Sequence, residues 1–170
     1  MAKQRLYTKI INSGPLALLY FFSISELDAN IEGYFDILSF NLQLIIIYFW
    51  AIKRPEVLGN GHVFFTGFIN DVVMGMPLGL SSLSYLVVCL VANYIKNMTV
   101  NTTFASDCFT FLIAVIFSNI TFVILTSNFT ELPITLIEIS YNTFFTLIFF
   151  PFFWFLFSFY NSIIIVGKNA

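Results

Sequence analysis

A series of long apolar runs, separated by short polar joints, most constrains what this chain can fold into. A helix of about 20 apolar residues spans the hydrocarbon core of a bilayer, and most of the runs are near that length. The runs are continuously apolar, whereas the strands of a membrane barrel alternate between apolar and polar residues. They cover residues 10–25, 35–52, 63–76, 78–95, 109–127 and 140–162. The sequence therefore predicts an all-α, polytopic membrane helix bundle of about six transmembrane helices, or about five if the short third run is re-entrant.

The composition also indicates a protein that lies in a lipid bilayer. Hydrophobic residues make up 59% of the chain and charged residues only 9%, whereas soluble domains contain about 25% charged residues. No stretch has the composition of a separate soluble module. We therefore predict a single integral membrane domain over residues 1–170.

The distribution of charge predicts the orientation of this bundle, because cytoplasmic joints of membrane proteins are enriched in Lys and Arg. In the six-span map all seven basic residues fall on one side, at Lys3, Arg5, Lys9, Lys53, Arg54, Lys96 and Lys168. The joints on the other side carry acids, at Glu26, Asp28, Glu32, Asp36, Glu131 and Glu138. We expect both termini to be cytoplasmic and the first span to be uncleaved.

The third and fourth runs differ from the others because small and polar residues recur in them. Gly67, Asp71, Gly75 and Gly79 are spaced four residues apart, which places them near one face of a helix. We expect Gly67 and Gly75 to let a neighbouring backbone approach closely, with Asp71 facing that neighbour and not lipid. The pattern predicts a helical hairpin with a polar seam.

Pro77 interrupts this hairpin, because proline cannot donate a backbone hydrogen bond. We expect one helix to end near residue 76 and the next to begin near residue 78. A second proline, Pro151, is expected to kink the last run. That run is rich in aromatic residues all round the helix. We interpret it as a lipid-facing helix that ends in an interfacial belt of Trp154 and Tyr160, with a partner-binding face as the alternative.

Asp71 allows two interpretations. An Asp at the centre of a membrane helix costs about 2.5–3.5 kcal/mol, so hydrogen-bond partners or water must offset its burial. In the first interpretation Asp71 is structural and bonds to polar groups across the hairpin or on later helices. Candidate partners are Ser81, Ser84, Asn119, Thr121 and Asn142. In the second it relays protons or cations, which we favour less because no second ionisable residue is expected at membrane depth.

No set of residues forms a recognisable catalytic constellation, so we predict that the protein is not an enzyme. His62, the only histidine, is interpreted as a solvated residue at the start of the third run. Cys89 and Cys108 lack the spacing of a metal site or disulfide framework. We expect no cofactor, no bound metal and no nucleic-acid partner.

The sequence L-Q-L-I-I-I-Y-F-W-A-I-K-R-P-E and the hairpin G-F-I-N-D-V-V-M-G-M-P-L-G-L-S-S-L-S-Y-L carry a resemblance to a known family. They closely resemble the bacterial rod shape-determining protein MreD family over about a quarter to a third of the chain, where a glycine-aspartate-glycine helix is combined with a proline-glycine break. The departures are the polar Asn70 and the inserted Gly59-Asn60-Gly61 turn. The matching positions that we take as a structural hairpin and partner motif are Arg54, Pro55, Gly67, Asp71, Gly75, Pro77, Gly79 and Tyr85.

The resemblance implies a non-catalytic subunit of the elongasome, which supports lateral peptidoglycan synthesis and rod cell shape from the bacterial inner membrane. It implies contacts with an MreC-like periplasmic protein, the MreB filament, a RodA-type glycosyltransferase with its transpeptidase partner, and membrane lipid. The family is also similar in fold to substrate-binding subunits of energy-coupling-factor transporters. A vitamin- or small-solute-binding subunit is therefore the alternative, although Phe21 stands four residues after Ala17 where those subunits have a second alanine.

Overall fold

The computed structural model describes residues 2–25, 40–98, 103–129 and 136–169, with side chains from residue 13 to residue 164. All regular secondary structure in this part of the chain is helical. Its six helices are α1 (Ala2–Ser25), α2 (Leu42–Lys53), α3 (Asn60–Val73), α4 (Leu80–Met98), α5 (Phe104–Phe129) and α6 (Leu136–Asn169). The prediction of an all-α fold is confirmed for the described residues.

Helix α2 lies at the centre of the bundle. Every residue from Gln43 to Ile52 is buried, and the helix contacts α1, α4, α5 and α6. The Tyr48 ring packs edge-on against Phe111 of α5 and Phe150 of α6, with centroids 5.1 and 5.8 Å away. A helix that is apolar on all sides is expected to be enclosed. The composition of α2 fits its position, because four other helices surround it.

Within the described ranges, two helical segments are long and apolar enough to cross a membrane, Phe104–Phe129 in α5 and Leu136–Ile164 in α6. Segments Ser13–Ser25 and Leu42–Lys53 are apolar but shorter. At 1.5 Å per residue, α2 extends about 18 Å, which is less than the hydrocarbon thickness of about 30 Å. The predicted run 35–52 is thus represented by a shorter helix, and residues 35–39 lie outside the described part of the chain.

The aromatic residues of α6 divide between two environments. Phe150 and Phe157 are buried in the core, whereas Phe152 and Phe159 are 62% and 72% exposed. Trp154, which we predicted to lie in an interfacial belt, is half-buried and donates its indole N–H to a carboxylate on α5. One face of α6 packs on α2 and α5, so the interpretation as a lipid-facing helix can apply only to its exposed residues.

Candidate functional site

The end of α3 forms a complete glycine-terminated helix cap. Gly75 has φ +64°, a left-handed conformation that glycine adopts at little cost. The Met76 N–H donates to the Asp71 carbonyl at 2.9 Å, and the Gly75 N–H donates to the Val72 carbonyl at 3.3 Å. These two bonds are those of a Schellman motif, which satisfies the last carbonyls of a helix. The chain leaves α3 after Val73, three residues before the predicted end.

Gly75 and Gly79 therefore do not lie on a helix face, and this prediction from the four-residue spacing is wrong. Both have positive φ, +64° and +105°, and a Cβ added to either would meet no atom within 4 Å. They shape the connection between α3 and α4, and Pro77 lies between them. The helical spacing does not continue past Val73 because the backbone reverses direction there.

Gly67 is the point of closest approach between α3 and α4. A Cβ at this position would lie 2.6 Å from the Ser82 backbone nitrogen and 2.9 Å from the Ser81 carbonyl carbon. Real Cβ atoms do not approach backbone so closely, so only glycine fits without displacing a helix. The close contact expected from the sequence is present at Gly67.

Asp71 caps the beginning of α4 from across the connection. Its side chain is fully buried, and its two carboxylate oxygens accept the Ser81 N–H at 2.8 Å and the Gly79 N–H at 2.7 Å. The first N–H groups of a helix lack intrahelical partners and favour negative charge. Asp71 thus ties the last turn of α3 to the first turn of α4, and each of its oxygens has a backbone donor.

The partners that we predicted for Asp71 are only partly correct. Ser81 is a partner through its backbone N–H and not through its hydroxyl. The hydroxyls of Ser84 and Thr121 bond to carbonyls in their own helices, and the Asn119 amide donates to Thr143. Asn142 accepts from Thr146. Backbone donors replace the expected side chains because Asp71 faces a helix N-terminus.

A chain of buried amides continues from this cap to the central helix. The Gln43 amide donates to the Asn70 carbonyl oxygen at 3.3 Å, and the Asn70 amide donates to the Ser81 hydroxyl at 3.2 Å. Asn70, which departs from the MreD-like pattern, therefore links α2, α3 and α4. Its polarity has a packing role, since an amide can donate and accept at once.

The remaining predicted motif residues do not all join the hairpin. Tyr85 is buried on α4. Arg54 ends α2, where its N–H donates to the Trp50 carbonyl at 2.8 Å, and Pro55 begins the following turn. Eleven residues separate Arg54 from Gln43 on α2, a helical rise of about 16 Å. The structure thus separates Arg54 and Pro55 from Asp71.

A buried charge that sequence reasoning missed lies at the end of the bundle near Arg54. The Asp107 carboxylate is 2% exposed, and the same oxygen lies 3.3 Å from the Lys53 ammonium nitrogen and 3.0 Å from the Trp154 indole nitrogen. Tyr48 donates to the Asp107 carbonyl at 3.1 Å and bonds to Thr110. The signal available in the sequence was an Asp in the first turn of α5, which favours a helix N-terminus.

Lys53, Asp107 and Trp154 form a cluster that links α2, α5 and α6. Lys53 also lies 5.8 Å from the centroid of the Trp154 ring, within the range of a cation–π contact. A half-buried lysine and an indole N–H both contact one oxygen of the buried carboxylate and offset part of the cost of its burial. Asp107 is thus a second buried carboxylate of the bundle, which the sequence analysis did not identify.

A cavity of about 360 Å³ opens beside the hairpin at the opposite end of the bundle. It lies between the start of α2, the α3–α4 connection, the second half of α5 and the start of α6. Much of its lining is polar, including Asn41, Asn70, Ser81, Ser118, Asn119 and Glu138. These residues come from the start of α2 and from α3, α4, α5 and α6.

His62 and Cys89 have ordinary polar partners. Tyr20 and His62 Nδ1 lie 3.2 Å apart, and the Cys89 thiol contacts the Asn60 carbonyl oxygen at 3.2 Å. Within the described ranges, His, Cys, Asp and Glu form no group of three that could hold a metal ion. The polar cavity is one place among the described residues where a ligand could bind.

No protein-family model, curated protein sequence or solved structure shows a significant match to this chain.

Proposed function

We propose that this protein is a non-catalytic membrane subunit of the bacterial elongasome and supports lateral peptidoglycan synthesis and rod cell shape. The observation that carries the proposal is the hairpin of α3 and α4. Four of its MreD-like residues have a structural role, since Gly67 allows helix contact, Asp71 caps α4, and Gly75 and Gly79 shape the turn. A motif used in this way builds a rigid scaffold, which suits a subunit that organises partners.

The proposed partners are an MreC-like periplasmic protein, the MreB filament, and a RodA-type glycosyltransferase with its transpeptidase. The connections α2–α3 and α3–α4 each comprise about six residues, too few for an interface of roughly 800 Å² per partner. Helices α5 and α6 carry exposed apolar residues, among them Phe117, Ile124 and Phe152. Contacts within the membrane are the simplest route to assembly for such a protein.

Complex formation tests this proposal. In a strain that lacks the native rod-shape protein of this type, expression of the chain should restore rod shape and co-purify an MreC-like partner. Replacing Glu26, Asp28, Glu32 and Asp36 together by Ser should leave both results intact, because we assign recognition to the helices. Failure to restore shape at normal membrane levels contradicts the proposed function, whereas loss of the partner only in the quadruple variant assigns recognition to that joint.

The proposed orientation places both termini in the cytoplasm, with about six membrane crossings in the inner membrane. The support is the location of all seven basic residues on one side of that map. A reporter fused after Ala170 should be active only if it functions in the cytoplasm, and one inserted near Asn30 only if it functions outside. The reverse result at either position contradicts the map.

The alternative proposal is a membrane subunit that binds a vitamin or another small solute. The polar cavity favours it, because its volume of about 360 Å³ is at the lower end of the roughly 300–1,000 Å³ typical of ligand sites. Two results together would favour this function over the elongasome proposal. The purified protein would bind a vitamin at micromolar concentration, and the cell shape of the strain would not depend on the chain.

A further inference from the structure

The cavity has a distinct chemical character. Its charged lining residue is Glu138, an exposed carboxylate in the first turn of α6, and none of its described lining residues is Lys, Arg or His. The basic residues whose side chains are described, Lys53, Arg54 and Lys96, lie outside its lining. A site with a carboxylate and no cation favours a positively charged ligand over an anion.

The neutral polar groups of the cavity add to this preference. Asn119 donates its amide to Thr143 at 2.6 Å, which leaves its carbonyl oxygen as an acceptor. Ser118 donates its hydroxyl to the Ser84 carbonyl at 3.1 Å, so its oxygen can also accept. Both residues line the cavity together with Glu138. The acceptors match a ligand group that carries several N–H donors.

The cavity floor is held in place by the hairpin. Asn70 and Ser81, which line it, are 7% and 6% exposed and are bonded to each other. Ser81 is in turn bonded through its N–H to Asp71. Met74 and Met76 of the connection provide an apolar wall. A rigid polar floor beside an adaptable thioether wall is a suitable arrangement for a small organic molecule.

We propose that this cavity binds a small organic amine, with its ammonium group at the Glu138 carboxylate and the Asn119 carbonyl oxygen. The inference goes beyond the proposed elongasome role and does not depend on it. It assigns a ligand to the end of the bundle that the charge distribution predicts to face outward. The amine would reach the site from that side, without crossing the membrane.

Binding of a matched set of probes tests the inference. The full chain in lipid nanodiscs is titrated with radiolabelled putrescine, with butanediol as the uncharged analogue and succinate as the anionic one. We expect saturable binding of putrescine and no binding of succinate. Butanediol should bind at least about tenfold more weakly than putrescine, because it cannot form the charge-assisted hydrogen bond. Equal binding of the diamine and the diol, preference for succinate, or no saturable putrescine binding would overturn the proposal.

Two variants locate the site. Glu138→Gln should weaken putrescine binding about tenfold or more and remove the preference over butanediol. The matched control is Glu56→Gln, an exposed acid in the α2–α3 connection that does not line the cavity. Asn119→Leu should also weaken binding, because it removes an acceptor from the cavity. Thermal unfolding of each variant checks its folding, and unchanged putrescine binding in Glu138→Gln would contradict the assignment.

Discussion

Replacement of Asp71 by leucine should destabilise the protein by about 1–3 kcal/mol for each of the two backbone N–H groups that lose their acceptor. Both donors, on Gly79 and Ser81, belong to the start of α4 and are bonded at 2.7 and 2.8 Å. Leucine has a similar length but accepts no hydrogen bond. Thermal unfolding in detergent measures the loss, and Val72→Leu is the control because Val72 is 57% exposed on the same helix.

Asp71→Asn distinguishes a structural carboxylate from one that must ionise for function. From the sequence, a structural Asp71 would tolerate asparagine well. The geometry changes this expectation, because asparagine has one carbonyl oxygen and its NH₂ group would face the second backbone donor. We therefore expect asparagine to be intermediate in stability between aspartate and leucine.

Rod-shape rescue with quantified membrane levels provides the second measurement for Asp71. If the carboxylate is structural, function should follow stability, with aspartate best, asparagine intermediate and leucine worst. An Asp71→Asn protein that reaches normal membrane levels and melts normally, but gives no rescue, would instead support the proton or cation relay.

The second large effect is expected at Gly67, where alanine should cost about 1–3 kcal/mol through overpacking. The added Cβ would lie 2.6 Å from the Ser82 nitrogen, so α3 and α4 would have to move apart. That shift would also lengthen the hydrogen bonds that Asp71 accepts from Gly79 and Ser81, because they join the same two helices. Thermal unfolding and the yield of folded protein in membranes measure the effect.

The control for Gly67 is Gly61, which lies in the same helix but has open space where a Cβ would be. Gly61→Ala should be neutral or stabilising by up to about 1 kcal/mol, because alanine favours helix more than glycine does. Equal effects of the two substitutions would show that helix propensity, and not the contact with Ser82, determines the result at Gly67.

The physical reason for glycine differs along the hairpin, which the four-residue spacing did not reveal. Gly67 is needed for close packing, whereas Gly75 and Gly79 are needed for their positive φ angles. We expected Gly75 to let a neighbouring backbone approach closely, but for Gly75→Leu the surrounding space is open. The cost of that substitution comes from backbone strain instead.

The sequence by itself determined the helical class, the hairpin and the burial of Asp71. These follow from local properties: continuous apolar runs, a proline that cannot donate, and the cost of placing a carboxylate in lipid. Each of these properties can be evaluated within a short window of sequence, equivalent to a few helical turns. For the same reason the sequence indicated that Asp71 faces a neighbour but not that its acceptors meet backbone N–H groups.

Only the tertiary structure decided which helix is central and which distant groups meet. Helix α2 resembles other apolar runs, yet it is enclosed because α1, α4, α5 and α6 pack around it. Asp107 meets Lys53 and Trp154 across 54 and 47 residues of sequence. The polar cavity likewise combines Asn70 with Glu138. Such contacts depend on how whole helices are arranged in space, whereas hydrophobic periodicity records only which side of one helix avoids water.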